Sequence, residues 1–350
     1  VAAAAVAALA LALVGAGGVA ADGGAPASVR PHAWMGDMMG VIGNRTLNQI
    51  LVPGTHDSGA IVGTITKNLQ PGAENSETAD LIKFAEKLGI PLQDVIIPWA
   101  QSQDRTFLQA LNDGIRYIDL RTGWNGTDFT TYHMDQGGRI RALLQQIAAF
   151  MANSTTEVVI VEAATTNCAV TGGDTGALVT MIEEELGQWM YPRAGGFNDT
   201  ISGMVAMNKR LVVTLDNDTA IAEHPLFWQD DETIQNSWAN QCNLTLMEQF
   251  NDQKVEEYQS WRTDPSRNGK LFKISWTRTT NFDCVVAGFL GGPNSLIEIA
   301  DVANKHLQQW ADTKYAAKLP LANIMIIDHY ETSPIMSVVA RNNAAFPPPQ

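Results

Sequence analysis

The sequence predicts a (β/α)8-type barrel, on three observations. Short, nearly continuous apolar runs with the length of buried parallel strands recur along the chain. Between them lie longer stretches whose apolar residues fall at helical spacing. Seven or eight such alternations fit within 350 residues, and that pattern implies βαβ units closing into one barrel. Apolar residues form 45% of the chain, which allows one large core and excludes wholesale disorder.

Taken in order, Val1 to Ala21 carry no charge and read as the apolar core of a secretory signal, with small residues Gly18 to Ala21 at the expected cleavage point. No Met or basic segment precedes this run, so the sequence is expected to begin inside the signal. An uncleaved anchor needs roughly 20 strongly apolar residues; the Ala and Gly richness here favours cleavage. Residues 22–33 are expected to be a mobile linker, and the barrel to span 34–342. Strands are expected at Ile50–Pro53, Ile115–Leu120, Phe129–His133, Glu157–Glu162, Arg210–Leu215, Leu271–Trp276 and Asn323–Ile327. Helices are expected at Arg139–Met151, where Leu143, Leu144, Ile147 and Phe150 share a stripe, and at Leu178–Trp189, Leu246–Trp261 and Ser295–Tyr315. The apolar pairs Trp34-Met35 and Met38-Met39 are expected to pack over the bottom of the barrel. Gly172-Gly-Asp-Thr-Gly176 lacks the Gly-Lys-Ser/Thr of a phosphate loop, so Asp174 or Thr175 is read as a helix cap. Residues 343–350, with their run of prolines, are expected to fray.

The formal charge is −14, with 37 acidic against 23 basic residues, which argues against a nucleic-acid binder. No polybasic run suited to anionic lipid is present. Six Asn-x-Thr sequons, at Asn44, Asn125, Asn153, Asn198, Asn217 and Asn243, fit a secreted, extracellular glycoprotein. Cys168, Cys242 and Cys284 allow one bridge in any of three pairings, and none has metal-ligand spacing.

In a parallel barrel the active site lies at the C-terminal ends of the strands. The polar residues expected there are His56-Asp57-Ser58-Gly59 after the first strand, Asp119 and Arg121 on the second, His133 on the third and Asp328-His329 on the last. Closure would bring the first and last strands together and make neighbours of His56 and Asp328. Each residue has a plainer alternative, such as a turn at Asp57-Ser58-Gly59 or a structural ion pair between Arg121 and Asp119. His32, His224, His306 and His329 have no partner assignable from sequence.

Leu51-Val-Pro-Gly-Thr-His-Asp-Ser-Gly59 resembles the opening motif of phosphatidylinositol-specific phospholipase C (PI-PLC) X domains, and Leu111-Asn-Asp-Gly-Ile-Arg-Tyr-Ile-Asp-Leu-Arg121 resembles their second motif. The His133 strand, the Glu157 strand, Ser275-Trp-Thr-Arg-Thr and Asn323-Ile-Met-Ile-Ile-Asp328 follow in the same order, so the likeness runs from about Trp34 to about Asn342. The resemblance implies a distorted (β/α)8 barrel and a phosphodiesterase acting on phospholipid. It would make His56 the general base toward the inositol 2-hydroxyl and Asp328 its orienting carboxylate. His133 would be the general acid toward the departing diacylglycerol oxygen, supported by Asp57. Arg121 would bind the phosphate, with Asp119 holding Arg121. Calcium-dependent members carry Asn after the first His and Glu-x-Asp in the second motif. Asp57 and Asp119-Leu-Arg121 stand there instead, which resembles the metal-independent, bacterial-type branch, with no metal or other cofactor expected. The Glu157 strand has no lysine where some bacterial members use one near the phosphate, and Met134-Asp-Gln-Gly137 replaces the common His-Gly after the acid. Two alternatives remain at this level: action on another phosphodiester, such as a glycosyl-inositol or sphingolipid headgroup, and a catalytically silent barrel used for binding. The expected partner is a phospholipid or inositol phosphodiester, with transient membrane contact and no nucleic acid.

Overall fold

The computed structural model describes residues 29–66, 83, 85–87, 89–133, 135–166, 172–194, 196–267 and 269–348. The expected signal, most of the linker, Met134 and Cys168 lie outside these residues. Among the described residues ten strands form in chain order: β1 (Val52–Thr55), β2 (Tyr117–Trp124), β3 (Phe129–His133), β4 (Asp135–Arg139), β5 (Val159–Ala164), β6 (Leu211–Leu215), β7 (Phe227–Gln229), β8 (Ile234–Gln235), β9 (Leu271–Trp276) and β10 (Ile324–Ile327). The main sheet runs β7-β6-β5-β2-β1-β10-β9-β8, and every pair along that path is parallel. Among the described residues no pairing joins β7 to β8, so the curled sheet is a distorted barrel open on that side.

The expectation that the His133 strand is a barrel strand is corrected. β3 pairs antiparallel with the end of β2 and with β4, off the main sheet. The cause is local: β2 runs on past the barrel rim to Trp124, where Asn125 Oδ1 accepts from the Thr127 and Asp128 amides and reverses the chain. The resulting ribbon lies tightly on the turn after β1. A Cβ on Gly137 would stand 2.1 Å from Thr131 Oγ1, and one on Gly59 would stand 2.3 Å from Thr131 Cγ2. Only glycine permits that approach. β4 escaped the sequence reading because Asp-Gln-Gly-Gly-Arg has no apolar run, and β7 and β8 because three and two residues show no periodicity.

Below the sheet, Trp34, Met35 and Met38 are buried as expected. Arg116 and Glu157 form a fully buried ion pair there (2.5 Å), with the guanidinium over the Phe150 ring. Glu157 also accepts from the Met35 and Gly36 amides (3.2 and 3.0 Å), so the buried carboxylate is hydrogen-bonded as well as paired. Asp174 caps the Thr175–Leu186 helix, accepting from Gly176 N at 2.9 Å. Order extends further than expected at both ends. Pro31–Ala33 form a 3-10 turn inside the expected linker, next to the Arg30–Asp37 pair (2.6 Å). The Ile335–Ala345 helix continues into the expected tail, where Asn343 exchanges two hydrogen bonds with the Leu51 backbone (2.8 and 2.9 Å) and Phe346 packs on Tyr315. Those buried bonds override the helix-breaking prolines that follow. Among the described residues no helix is long and apolar enough to cross a membrane.

Cys242 and Cys284 are disulfide-bonded, which resolves the pairing left open by the sequence. The bridge ties the approach to the Leu244–Trp261 helix to the Phe282–Phe289 helix across 42 residues. Closing a loop of that length removes about 4 kcal/mol of chain entropy from the unfolded state. A Cys242→Ser/Cys284→Ser protein should therefore unfold at clearly lower urea than wild type; an unchanged midpoint would show that the bridge carries no stability.

Candidate active site

The turn after β1 is built to hold its side chains. Thr55 pairs with Ile327, so the next residues of β1 and β10 bring His56 beside Asp328, with Nδ1 to Oδ1 at 2.8 Å. Gln103 Nε2 donates to the His56 and Ile327 carbonyls (2.8 and 3.0 Å) and pins the two strand ends together. Asp57 takes φ +42°, a left-handed conformation that Asp tolerates better than most residues. Its amide donates to Asp119 Oδ2 (2.9 Å), its carbonyl accepts from Ser102 Oγ (2.9 Å), and the Asp119 amide donates to Ser58 Oγ (2.9 Å). The turn and the candidate site are thus one structure.

Asp57 is the hub. Its side chain is 1% exposed and meets Arg121 Nε through Oδ1, and His133 Nε2 (2.9 Å) and His56 Nε2 (3.4 Å) through Oδ2. Arg121 Nη2 reaches His56 Nε2 (3.1 Å) and Asp119 Oδ2 (3.3 Å). His133 lies 2.8 Å from the Ala100 carbonyl through Nδ1, so both of its ring nitrogens face oxygen atoms. The two imidazoles stand 6.4 Å apart at 79°, beside a cavity of about 350 Å³. His56, Asp57, Asp119, Arg121, His133 and Asp328, all chosen from sequence, therefore converge. His329 turns away to Asp301 (2.7 Å), and His224 pairs with Glu183 (2.9 Å).

His56, Asp57 and Asp119 offer one ligand atom each within 4.8 Å of one another, the spacing of a cation site. Arg121 contacts all three.

No family model matches the chain. Among solved structures it resembles the phosphatidylinositol-specific phospholipase C of Listeria monocytogenes, with TM-score 0.58 and 18% identity over 89% of this chain and 99% of that one. A pentafluoro-Phe form of the Staphylococcus aureus enzyme gives 0.59 and 14%, over 90% and 98%. The chain is 24% identical to PI-PLC X domain-containing protein 3 of Mus musculus over 317 residues, 89% of this chain and 94% of that protein; the Homo sapiens protein gives 23% over the same length. The chain therefore has the fold of the bacterial phosphatidylinositol-specific phospholipases C and is similar in sequence to PI-PLC X domain-containing proteins.

Within this site the charges set each other. Burial draws the His56 pKa down, but Asp57 and Asp328 outweigh it and carry the value up to about 9 against the donor Arg121. Burial pushes Asp57 up, yet Arg121, His133 and His56 together hold it far below the usual carboxylate range. Asp328 is raised by burial, against the pull of His56. Because the folded pKa of His56 exceeds the unfolded value of 6.5, its contribution to stability is complete below 6.5 and fades as pH rises toward 9. Urea midpoints should fall more steeply between pH 6.5 and 9 in wild type than in a His56→Asn/Asp328→Asn protein. Parallel curves would contradict the raised value.

Sequence reasoning missed the cavity's far wall. Lys273, on β9, is 3% exposed and contacts Glu162 on β5 (2.6 Å) and the Tyr117 hydroxyl (2.7 Å). β5 itself has no lysine, and Lys273 reaches its Glu162 from β9. The signal was readable: Lys273 interrupts an otherwise apolar strand, and a fully buried lysine requires a partner. Trp238, Arg278 and Phe282 also line the cavity, from segments with no distinguishing pattern.

Proposed function

We propose that this chain is a secreted phosphodiesterase that cleaves phosphatidylinositol-type lipids. The observation that carries the reading is the pair of imidazoles, each held by its own contacts, on either side of the Asp57–Arg121 pair. His56 takes the proton of the inositol 2-hydroxyl, whose oxygen bonds to phosphorus as the bond to the diacylglycerol oxygen breaks. His133 gives its proton to that departing oxygen. Arg121 offsets the charge gathering on the phosphoryl oxygens. The products are diacylglycerol and inositol 1,2-cyclic phosphate. Lys273 and Glu162 would face the headgroup hydroxyls, and the half-exposed Trp238 and Phe282 at the cavity would meet the lipid surface.

Five of the six sequon asparagines, all but half-buried Asn217, are exposed, which supports N-glycosylation of a secreted protein. The reading includes independence from metal, on the grounds of Arg121. Purified protein mixed with phosphatidylinositol vesicles tests the function: release of the cyclic phosphate supports it, turnover only of glycosyl-inositol or sphingolipid substrates moves the specificity, and no turnover of any leaves a binding barrel.

A further inference from the structure

A second cavity, of about 420 Å³, opens at the opposite end of the barrel. Two of its lining residues, Lys270 and Asn323, directly precede β9 and β10, so it sits at the N-terminal ends of the strands, whereas His56 follows the C-terminal end of β1. We propose that this cavity is a second ligand site, taking a small polyol that bears two or more phosphate or sulfate groups.

Charge carries the inference. Arg262, Arg267 and Lys270 all line the cavity, and among the described residues no Asp or Glu does, in a chain of net charge −14. Arg267 has a counter-ion, Asp264, at 3.2 Å. Among the described residues the other two have none. Arg262 Nη2 donates to the Pro347 carbonyl (3.0 Å) and Lys270 Nζ to the Asp231 carbonyl (3.0 Å), and among the described residues neither has a carboxylate within ion-pair distance. A carbonyl takes one hydrogen bond but leaves the positive charge uncompensated, so two half-buried cations face one space. A third cation stands behind them. Buried Arg45 donates to the Asn343 carbonyl (2.8 Å) and is drawn below the usual arginine range, first by burial and then by repulsion from Arg262. Two uncompensated charges call for two anionic groups on the ligand.

The remaining wall sets the ligand's size and kind. The face of Trp261 is covered by the Arg267 guanidinium (4.5 Å), which fixes that cation's direction. Tyr258 and Trp261 give an apolar floor, while Asn48 and Gln49 give a polar edge suited to hydroxyls. The volume falls within the usual ~300–1,000 Å³ of small-molecule sites, room for one sugar or cyclitol ring. The site is independent of the catalytic reading, because none of its residues meets the imidazole cavity.

Calorimetry on full-length Arg121→Gln protein, at low salt, removes the active-site cation as an alternative binder. The probes are fructose 1,6-bisphosphate, a heparin-derived sulfated disaccharide and inorganic phosphate. One of the two polyanions should bind at least ~10-fold more tightly than phosphate and weaken as salt rises. Adding Arg262→Gln and Lys270→Gln should weaken it at least ~10-fold, whereas Arg262→Lys with Lys270→Arg should retain it, at an unchanged thermal midpoint. Preference for the bisphosphate points to a soluble phosphorylated polyol, and preference for the disaccharide to a sulfated glycan; either supports the site. Equal binding after the Gln substitutions, or binding of none of the three probes, would overturn it.

Discussion

His56→Ala and His133→Ala should each lower turnover of phosphatidylinositol by at least ~10²–10⁴, the range for losing one general acid or base. The two imidazoles share one carboxylate, Asp57, so the double variant should be little worse than either single one. The pH profile of kcat/KM should be bell-shaped, because one imidazole must be neutral while the other is protonated. Its acid-side limb belongs to His56, which must lose the proton that Asp57 and Asp328 hold up to about pH 9, so activity should climb with pH across the neutral range. Asp328→Asn removes one of those two anions. That limb should then move to lower pH while turnover drops, since the ring loses its 2.8 Å anchor. Near-normal activity in either alanine variant would take that residue out of the mechanism, and a limb unmoved by Asp328→Asn would separate the carboxylate from the base.

Much of this site was legible in the sequence because barrel topology converts linear order into proximity. Once Ile50–Pro53 and Asn323–Ile327 read as first and last strands, His56 and Asp328 had to meet, and the β1–β10 register brings them together. Arg121 and Asp119 sit two apart on one strand and so share a face. His133 was placed in the right pocket for the wrong reason. It arrives on an antiparallel ribbon whose partner, β4, has no apolar signature, and the packing of Gly59 and Gly137 on Thr131 that delivers it is a three-body contact no local pattern encodes. Lys273 stands on β9, where the sequence pattern marks the lysine but not its partner. Its pairing with Glu162 spans 111 positions, and only the fold shows which strand supplies the charge. Order at Asn343 depends equally on a distant partner, Leu51, against which local helix-breaking signals carry no weight.

Activity should survive exhaustive EDTA treatment unchanged, and the reason is the position of one side chain. Asp57, Asp119 and His56 have the mutual spacing of a cation site, and in their midst the Arg121 guanidinium contacts every one of them. The two carboxylates raise the Arg121 pKa still further, against burial, so the group cannot yield its proton to admit a second cation. A divalent ion entering beside it would meet about 4 kcal/mol of repulsion per unit charge at ~4 Å, even at an effective dielectric near 20. Arg121 should therefore be irreplaceable by a point charge. Arg121→Lys keeps the charge but loses the fork that spans Asp57, Asp119 and a phosphoryl oxygen together, and removing one such donor costs about 10²–10³ in turnover. Thermal midpoints should stay close to wild type in Arg121→Lys, which separates a lost contact from a lost fold. Loss of activity in EDTA, restored by Ca²⁺, would sink the metal-independent reading, since it would require a metal ion to displace a guanidinium from three partners at once.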